Sequence, residues 1–81
     1  MKYVLFARED CPYCIKAKEL LSTKEASFHI INFEEDQQWA LEKVKQFCDW
    51  PTVPMIMQIK DQGERNFIGG YTDLLNHFKG E

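Results

Sequence analysis

Apolar residues along the first part of the chain change from a continuous run to a helical spacing. Residues 2–7 are almost all apolar or aromatic, which predicts a short buried strand. From residue 12 to residue 23, the apolar positions recur every three or four residues, which predicts a helix. These helical positions are Cys14, Ala17, Leu20 and Leu21. Pro12 fits the first helical position, where its missing N–H is not needed.

The remainder of the chain continues the alternation of strands and helices. Residues 27–33 predict a second strand, and residues 36–48 predict a helix with Ala40, Val44 and Phe47 along one stripe. Residues 55–59 and 66–68 predict two more strands, joined by a turn at residues 61–64. A last amphipathic helix is predicted from the spacing of Tyr71, Leu74, Leu75 and Phe78.

This order of elements predicts an α/β fold. The first half forms a β-α-β unit with parallel strands and a right-handed crossover, and the second half closes with an antiparallel hairpin. At 81 residues, the chain is expected to form a single domain, residues 1–81, with 44% hydrophobic residues available for a core.

Composition and charge narrow the range of functions. The net charge is −3 and no basic patch is present, so nucleic-acid binding has no support. No apolar run approaches the 18 residues of a membrane span. No targeting segment is recognised at the start of the sequence, and the cysteine usage fits thiols that cycle between oxidation states. We therefore expect a cytoplasmic protein, acting as a monomer.

Cys11 and Cys14 carry the clearest chemical signal in the sequence. They lie one helical turn apart on the same face, with Cys11 at the helix N-terminus. The helix dipole and the unpaired N–H groups of the first turn stabilise a thiolate there, so we expect the pKa of Cys11 below the value of about 8.5 for free cysteine. A zinc site would need two further ligands, and a structural disulfide suits a secreted chain with an even number of cysteines. Redox catalysis is therefore favoured, and no metal site is expected.

Two later segments add weaker signals. Pro54 stands at the entrance of the third strand, after Thr52 and Val53. A cis bond before Pro54 would expose the backbone of Val53 to an incoming peptide, although most X-Pro bonds are trans. The glycine pair Gly69-Gly70 precedes the last helix, and we expect Thr72 or Asp73 to cap that helix. By itself, this second segment is more typical of an ordinary turn and cap.

Taken together, the three segments resemble a dithiol glutaredoxin, a member of the thioredoxin-like superfamily, in its small bacterial or phage form. The resemblance rests on residues 11–14, 52–54 and 69–74 and extends over essentially the whole chain. It implies a thioredoxin-like fold with a four-stranded mixed sheet flanked by three helices, and a cis Pro54. It also implies a glutathione-dependent thiol–disulfide oxidoreductase, with Cys11 as the nucleophile and Cys14 as the resolving thiol.

The resemblance further implies a groove that binds glutathione, which is a co-substrate rather than a tightly bound cofactor. Val53 would pair with the cysteinyl part, Thr72 and Asp73 would hold the γ-glutamyl end, and Arg8 could meet the glycyl carboxylate. The other residues implied for this groove are Tyr13, Thr52, Pro54 and Gly70. Its substrates would be disulfide-containing or glutathionylated proteins, with ribonucleotide reductase as one candidate.

Two departures from the family pattern and two rival functions stay open. Trp50 and Pro51 stand where the family often has a basic residue, and Tyr71 replaces a smaller one. The rivals are a thioredoxin-like hydrogen donor recharged by a flavoenzyme, and a carrier of an iron–sulfur cluster. Pro12 argues against the cluster carrier, because such relatives typically have a small residue at this position.

Three other residues with reactive side chains are interpreted as structural or solvated. Cys48, at the end of the second predicted helix, is expected to be a core or boundary residue rather than a third redox centre. His29 and His77 have no evident nucleophile to serve.

Overall fold

The computed structural model describes residues 2–80 of the chain, which form four strands and three α-helices. The helices are α1, α2 and α3, and a short 3-10 turn precedes α2. In chain order, the elements are β1 (Lys2–Arg8), α1 (Pro12–Thr23), β2 (Ser27–Phe33), the 3-10 turn (Glu35–Gln37), α2 (Gln38–Cys48), β3 (Met55–Ile59), β4 (Arg65–Gly69) and α3 (Tyr71–Lys79). The predicted thioredoxin-like α/β order is confirmed.

The strands form one mixed sheet in the order β2-β1-β3-β4. Strands β1 and β2 are parallel, with Lys2 opposite Ser27 and Leu5 opposite Ile30. Strand β3 runs antiparallel to β1, and β4 runs antiparallel to β3, as predicted for the hairpin. The ends of β1 and β4 and the beginning of β3 therefore lie at the same edge of the sheet.

Side chains alternate between the two faces of the sheet, so each face has its own apolar core. On one face, Tyr3, Leu5 and Ala7 of β1 pack with residues of α1 and with Leu74 of α3. On the other face, Phe33 and Met55 pack with Leu41 of α2. Helices α1 and α3 thus cover one face of the sheet, and α2 covers the other.

The predicted stripe of α2 is wrong at one position. Phe47 is 83% exposed, whereas Leu41 is fully buried and Ala40 and Val44 pack beside it. The helix begins at Gln38 rather than at residue 36, because residues 35–37 form the 3-10 turn. Cys48 is half-buried against the same core, as expected for a boundary residue.

A buried polar group ties β1 to α3 far from the cysteine pair. The Tyr3 hydroxyl lies 3.1 Å from Nε2 of His77 and accepts a hydrogen bond from Gln58 Nε2 at 3.4 Å. Tyr3 and Gln58 are both almost fully buried, so these contacts satisfy polar atoms that water does not reach. His77 therefore has a structural partner, while His29 is exposed on β2.

Within residues 2–80, no helix is both long and apolar enough to cross a membrane.

Candidate redox site

The cysteine pair lies at the junction of β1 and α1. Strand β1 ends at Arg8, and Asp10 turns the chain with a positive φ of 57°. Cys11 then has extended backbone geometry and is the N-cap of α1, and Pro12 is the first helical residue. The sequence therefore places a thiol where the helix leaves its first N–H groups without intrahelical partners.

The two sulfur atoms are joined in a disulfide, with the Cα atoms 5.2 Å apart. The backbone N–H of Cys14 donates to the Sγ of Cys11 at 3.2 Å. After reduction, the same N–H and the dipole of α1 favour negative charge on the sulfur of Cys11. Both residues are largely buried, Cys11 at 9% and Cys14 at 5% relative exposure, so Cys11 is the more accessible of the two.

The charge around the first turn also favours an anion. Residues 12–15 include no acidic side chain, and the Lys16 ammonium lies 5.3 Å from the centroid of the Tyr13 ring. The acidic residues Glu9 and Asp10, in the preceding loop, are exposed to water. The N-terminus of α1 is the source of positive potential that lies directly at Cys11.

A groove of about 360 Å³ brings together most of the residues that the sequence singles out. Tyr13 and Tyr71 stand on its sides with ring centroids 6.1 Å apart. The Val53–Pro54 peptide bond is cis, as predicted, at the entrance of β3. The residues lining the groove are Tyr13, Trp50, Thr52, Val53, Pro54, Gly70, Tyr71, Thr72 and Asp73. Of the eight residues predicted for glutathione, Arg8 alone is not part of this lining.

The predicted cap of α3 is wrong in its detail. Gly70, rather than Thr72 or Asp73, is the N-cap, and Asp73 in the first turn accepts a hydrogen bond from the Gly70 N–H at 2.9 Å. Gly69 has a φ of +122°, and a Cβ added to it would stand 2.6 Å from Oδ2 of Asp73. Glycine is therefore required at position 69, both for the backbone and for the approach of the carboxylate.

Arg8 lies elsewhere than the other predicted residues. It is exposed at the end of β1 and lines a separate cleft of about 480 Å³ together with Cys11 and Cys14. Arg8 does not line the groove that contains Val53 and Asp73, so the groove gives no support to its predicted contact with a glycyl carboxylate.

Two aromatic residues line the groove without having been predicted as binding residues. Tyr71 follows the glycine pair, and Trp50 packs against Phe67 with ring centroids 5.4 Å apart. Within the part of the chain that the structure describes, the buried indole N–H of Trp50 has no hydrogen-bond partner. The signal in the sequence is their position, since Tyr71 lies within the segment 69–74 and Trp50 lies two residues before Thr52.

Residues with metal-binding side chains are not grouped into a centre. Across residues 2–80, no three His, Cys, Asp or Glu side chains are arranged to hold a metal ion. The remaining cysteine, Cys48, is the half-buried last residue of α2, and burial raises the pKa of its thiol above the ordinary value.

Comparison with known proteins gives a consistent result. The family model described as Glutaredoxin matches residues 3–63. Glutaredoxin 1 of Escherichia coli strain K12 is 35% identical over 86 residues, covering 91% of this chain and 88% of the relative. Glutaredoxin 1 of Rickettsia typhi is 33% identical over 76 residues, covering 90% of this chain and 66% of the relative.

Solved structures show the same similarity in three dimensions. A wheat glutaredoxin superposes with a TM-score of 0.76 at 29% identity, covering 96% of this chain and 69% of the wheat chain. A buckwheat glutaredoxin–glutathione complex superposes with a TM-score of 0.74 at 26% identity, with the same coverage of 96% and 69%.

Proposed function

The chain belongs to the glutaredoxin family and is a thiol–disulfide oxidoreductase, and we propose that glutathione is the thiol that reduces it. The observation that supports this proposal most directly is the groove that reaches the first turn of α1 at Tyr13. Seven of the residues implied for glutathione line it, although they come from three separate segments of the chain. The buckwheat neighbour, at 26% identity, is itself a complex with glutathione.

The chemistry of the groove fits the parts of glutathione. A half-buried carboxylate, Asp73, is suited to the γ-glutamyl amine, and the first N–H groups of α3 are suited to the neighbouring carboxylate. The backbone of Val53 would pair with the cysteinyl part of the ligand, as an added strand pairs with a sheet edge. The contact of Arg8 with the glycyl carboxylate stays a prediction, since Arg8 lines the neighbouring cleft rather than the groove.

Reduction of a protein disulfide proceeds through two exchanges in this proposal. The Cys11 thiolate attacks one sulfur of the substrate, forms a mixed disulfide and releases the other substrate sulfur as a thiolate. The Cys14 thiolate then attacks the Sγ of Cys11, which forms the Cys11–Cys14 disulfide and releases the second substrate thiolate. Two electrons have passed from the enzyme to the substrate.

Two molecules of glutathione restore the dithiol. The first thiolate attacks Cys11, forms a glutathionyl mixed disulfide and releases the Cys14 thiolate. The second attacks the glutathione sulfur, forms glutathione disulfide and releases the Cys11 thiolate. A glutathionylated substrate needs only Cys11. The Cys11 thiolate attacks the glutathione sulfur, forms the same glutathionyl mixed disulfide directly and releases the substrate thiolate.

We also propose that residues 1–81 act as a single domain and as a monomer in the reducing cytoplasm. Both apolar cores pack on the two faces of one four-stranded sheet, which supports a single domain. The cycle requires a supply of reduced glutathione, which the cytoplasm provides.

Assays with two different electron sources distinguish reduction by glutathione from direct reduction by a flavoenzyme. Turnover of a glutathionylated peptide and of a protein disulfide is measured with glutathione and glutathione reductase, and then with thioredoxin reductase. We expect turnover of both substrates with glutathione, loss of both in Cys11→Ser, and loss of only the protein disulfide in Cys14→Ser. Turnover that depends on thioredoxin reductase and not on glutathione would refute the proposal.

A further inference from the structure

A second cleft lies beside the cysteine pair, and we call it the aliphatic cleft. Its floor is formed by Leu5 and Ala7 of β1 and by Ile30 and Asn32 of β2, which face the α1 side of the sheet. Its wall is the first part of α1. The wall residues are Cys11, Cys14, Ile15 and Lys18.

The aliphatic cleft and the groove share no lining residue. Tyr13 belongs to the groove, whereas Cys14 and Ile15, the next two residues, belong to the cleft. The first turn of α1 therefore separates two depressions, and both sulfur-bearing residues line the cleft.

The lining of the cleft suits apolar side chains. Ile15 is 57% exposed and Ile30 is 39% exposed, although both are large aliphatic residues. Both line the same cleft as Cys11 and Cys14, so an apolar side chain placed beside a reacting disulfide can contact them. The charged residues at the rim balance, with Arg8 and Lys18 against Glu9 and Asp10, so the cleft offers no preference for a charged ligand.

We propose that the aliphatic cleft binds aliphatic side chains that flank the reacting cysteine of a polypeptide disulfide. The cleft volume of about 480 Å³ lies within the range of about 300–1,000 Å³ seen for ligand sites and exceeds a single side chain. A polypeptide extends in both directions from its cysteine, so one arm occupies the groove while the other reaches the cleft. A glutathionyl group occupies the groove and extends no further than Arg8, at the rim of the cleft.

This inference rests on the proposed function for the identity of the groove ligand, but it can be tested without glutathione as a reductant. Pre-reduced enzyme is mixed with one of two peptide disulfides, which carry Leu or Ser beside the reacting cysteine, and single-turnover rates are measured. Reaction with a glutathionylated peptide that has no apolar neighbour is followed in the same way.

We expect the wild-type protein to react about tenfold faster with the Leu peptide, because half-burial of one Leu side chain corresponds to about that factor. Ile15→Ser and Ile30→Ser should each reduce this preference several-fold and leave the rate with the glutathionylated peptide unchanged. Phe47→Ser is the matched control, since it removes an exposed apolar side chain from α2 and should change neither rate.

Equal rates with the Leu and Ser peptides in the wild-type protein would overturn the inference. The inference would also be overturned if Ile15→Ser or Ile30→Ser lowered the rate with the Leu peptide and the rate with the glutathionylated peptide by the same factor, at an unchanged Tm. Failure of glutathione to recharge the enzyme would refute the proposed function instead and would leave the peptide preference measurable.

Discussion

Asp73 has an observed role in the cap of α3 and a proposed role in binding glutathione. Its Oδ2 accepts the Gly70 N–H at 2.9 Å, which fixes the start of α3. An ionised carboxylate can accept several hydrogen bonds, so it can also receive an amine in the groove. The side chain thus connects the local structure of α3 to the proposed selection of glutathione.

Asp73→Asn should distinguish the effect of the carboxylate charge from the effect of the hydrogen bond that caps α3. The Asn side-chain oxygen can still accept the Gly70 N–H, but the charge that would bind the γ-glutamyl amine is lost. Because the site is half exposed, we expect about a tenfold loss of kcat/KM with a glutathionylated peptide. The rate with a small neutral disulfide should be nearly unchanged, and kinetics with both substrates measure the difference.

Asp73→Ala serves as the control, since it removes both the cap and the charge and should also lower the Tm. If Asp73→Asn slowed both substrates equally and lowered the Tm as Asp73→Ala does, the role of Asp73 would be limited to the cap.

Sequence reasoning succeeded at the residue scale where the signal is local. The position of Cys11 before Pro12 follows from the end of a strand and the fixed φ of proline, and both are evident in the sequence. The expectation that Asp73 takes part in the cap of α3 is confirmed, but the N-cap itself is Gly70, which has no side chain to suggest it. The carboxylate that accepts the Gly70 N–H comes from the third residue of the helix.

The helices and strands were predicted more reliably than the faces they bury. The α1, β2 and β3 bounds agree with the structure, because strong apolar patterns and Pro12 delimit them. In α2, the sets 40, 44, 47 and 41, 44, 48 have equally good helical spacing. The 3-10 turn at residues 35–37 and packing against Phe33 favour the second set, and neither is evident in the sequence.

The connection between β1 and α3 offers a test of element packing. Tyr3→Phe removes the hydroxyl that contacts His77 and Gln58, and it leaves the buried Gln58 amide and the half-buried His77 ring with one partner fewer. We expect the free energy of unfolding to fall by about 1 kcal/mol, measured by urea titration, with no change in activity.

Tyr13→Phe is the control for this stability change, because Tyr13 is 58% exposed and its hydroxyl can be replaced by water. An equal effect of the two substitutions on the free energy of unfolding would show that the buried contacts of Tyr3 contribute nothing specific.

At the scale of the whole molecule, the direction of the strands explains how the site is assembled. Because β3 is antiparallel to β1 and to β4, the segments after β1, before β3 and after β4 meet at one edge of the sheet. Helices α1 and α3 both begin at that edge, and each directs its N-terminus toward the site. The strand directions were predictable from the order of elements, whereas the neighbour order β2-β1-β3-β4 was not.

The same arrangement distinguishes the three cysteines. Cys11 and Cys14 lie at the functional edge, while Cys48 lies at the end of α2 against the core of the other face. Burial raises the pKa of Cys48, so its thiol stays protonated and unreactive to a higher pH than a free cysteine. Cys11 is buried as well, at 9% relative exposure, but it lies at the N-terminus of α1, whose dipole and free N–H groups favour its thiolate.

The central claim is that Cys11 is the nucleophile that exchanges with glutathione. Reduced Cys14→Ser protein is incubated with glutathione disulfide at neutral pH, and the adduct is located by intact mass and peptide mapping. We predict one glutathionyl group, attached to Cys11, which persists because Cys14 is no longer present to displace it. Added glutathione should release this group. An adduct on Cys48 instead, or an equal adduct in Cys11→Ser, would contradict the account.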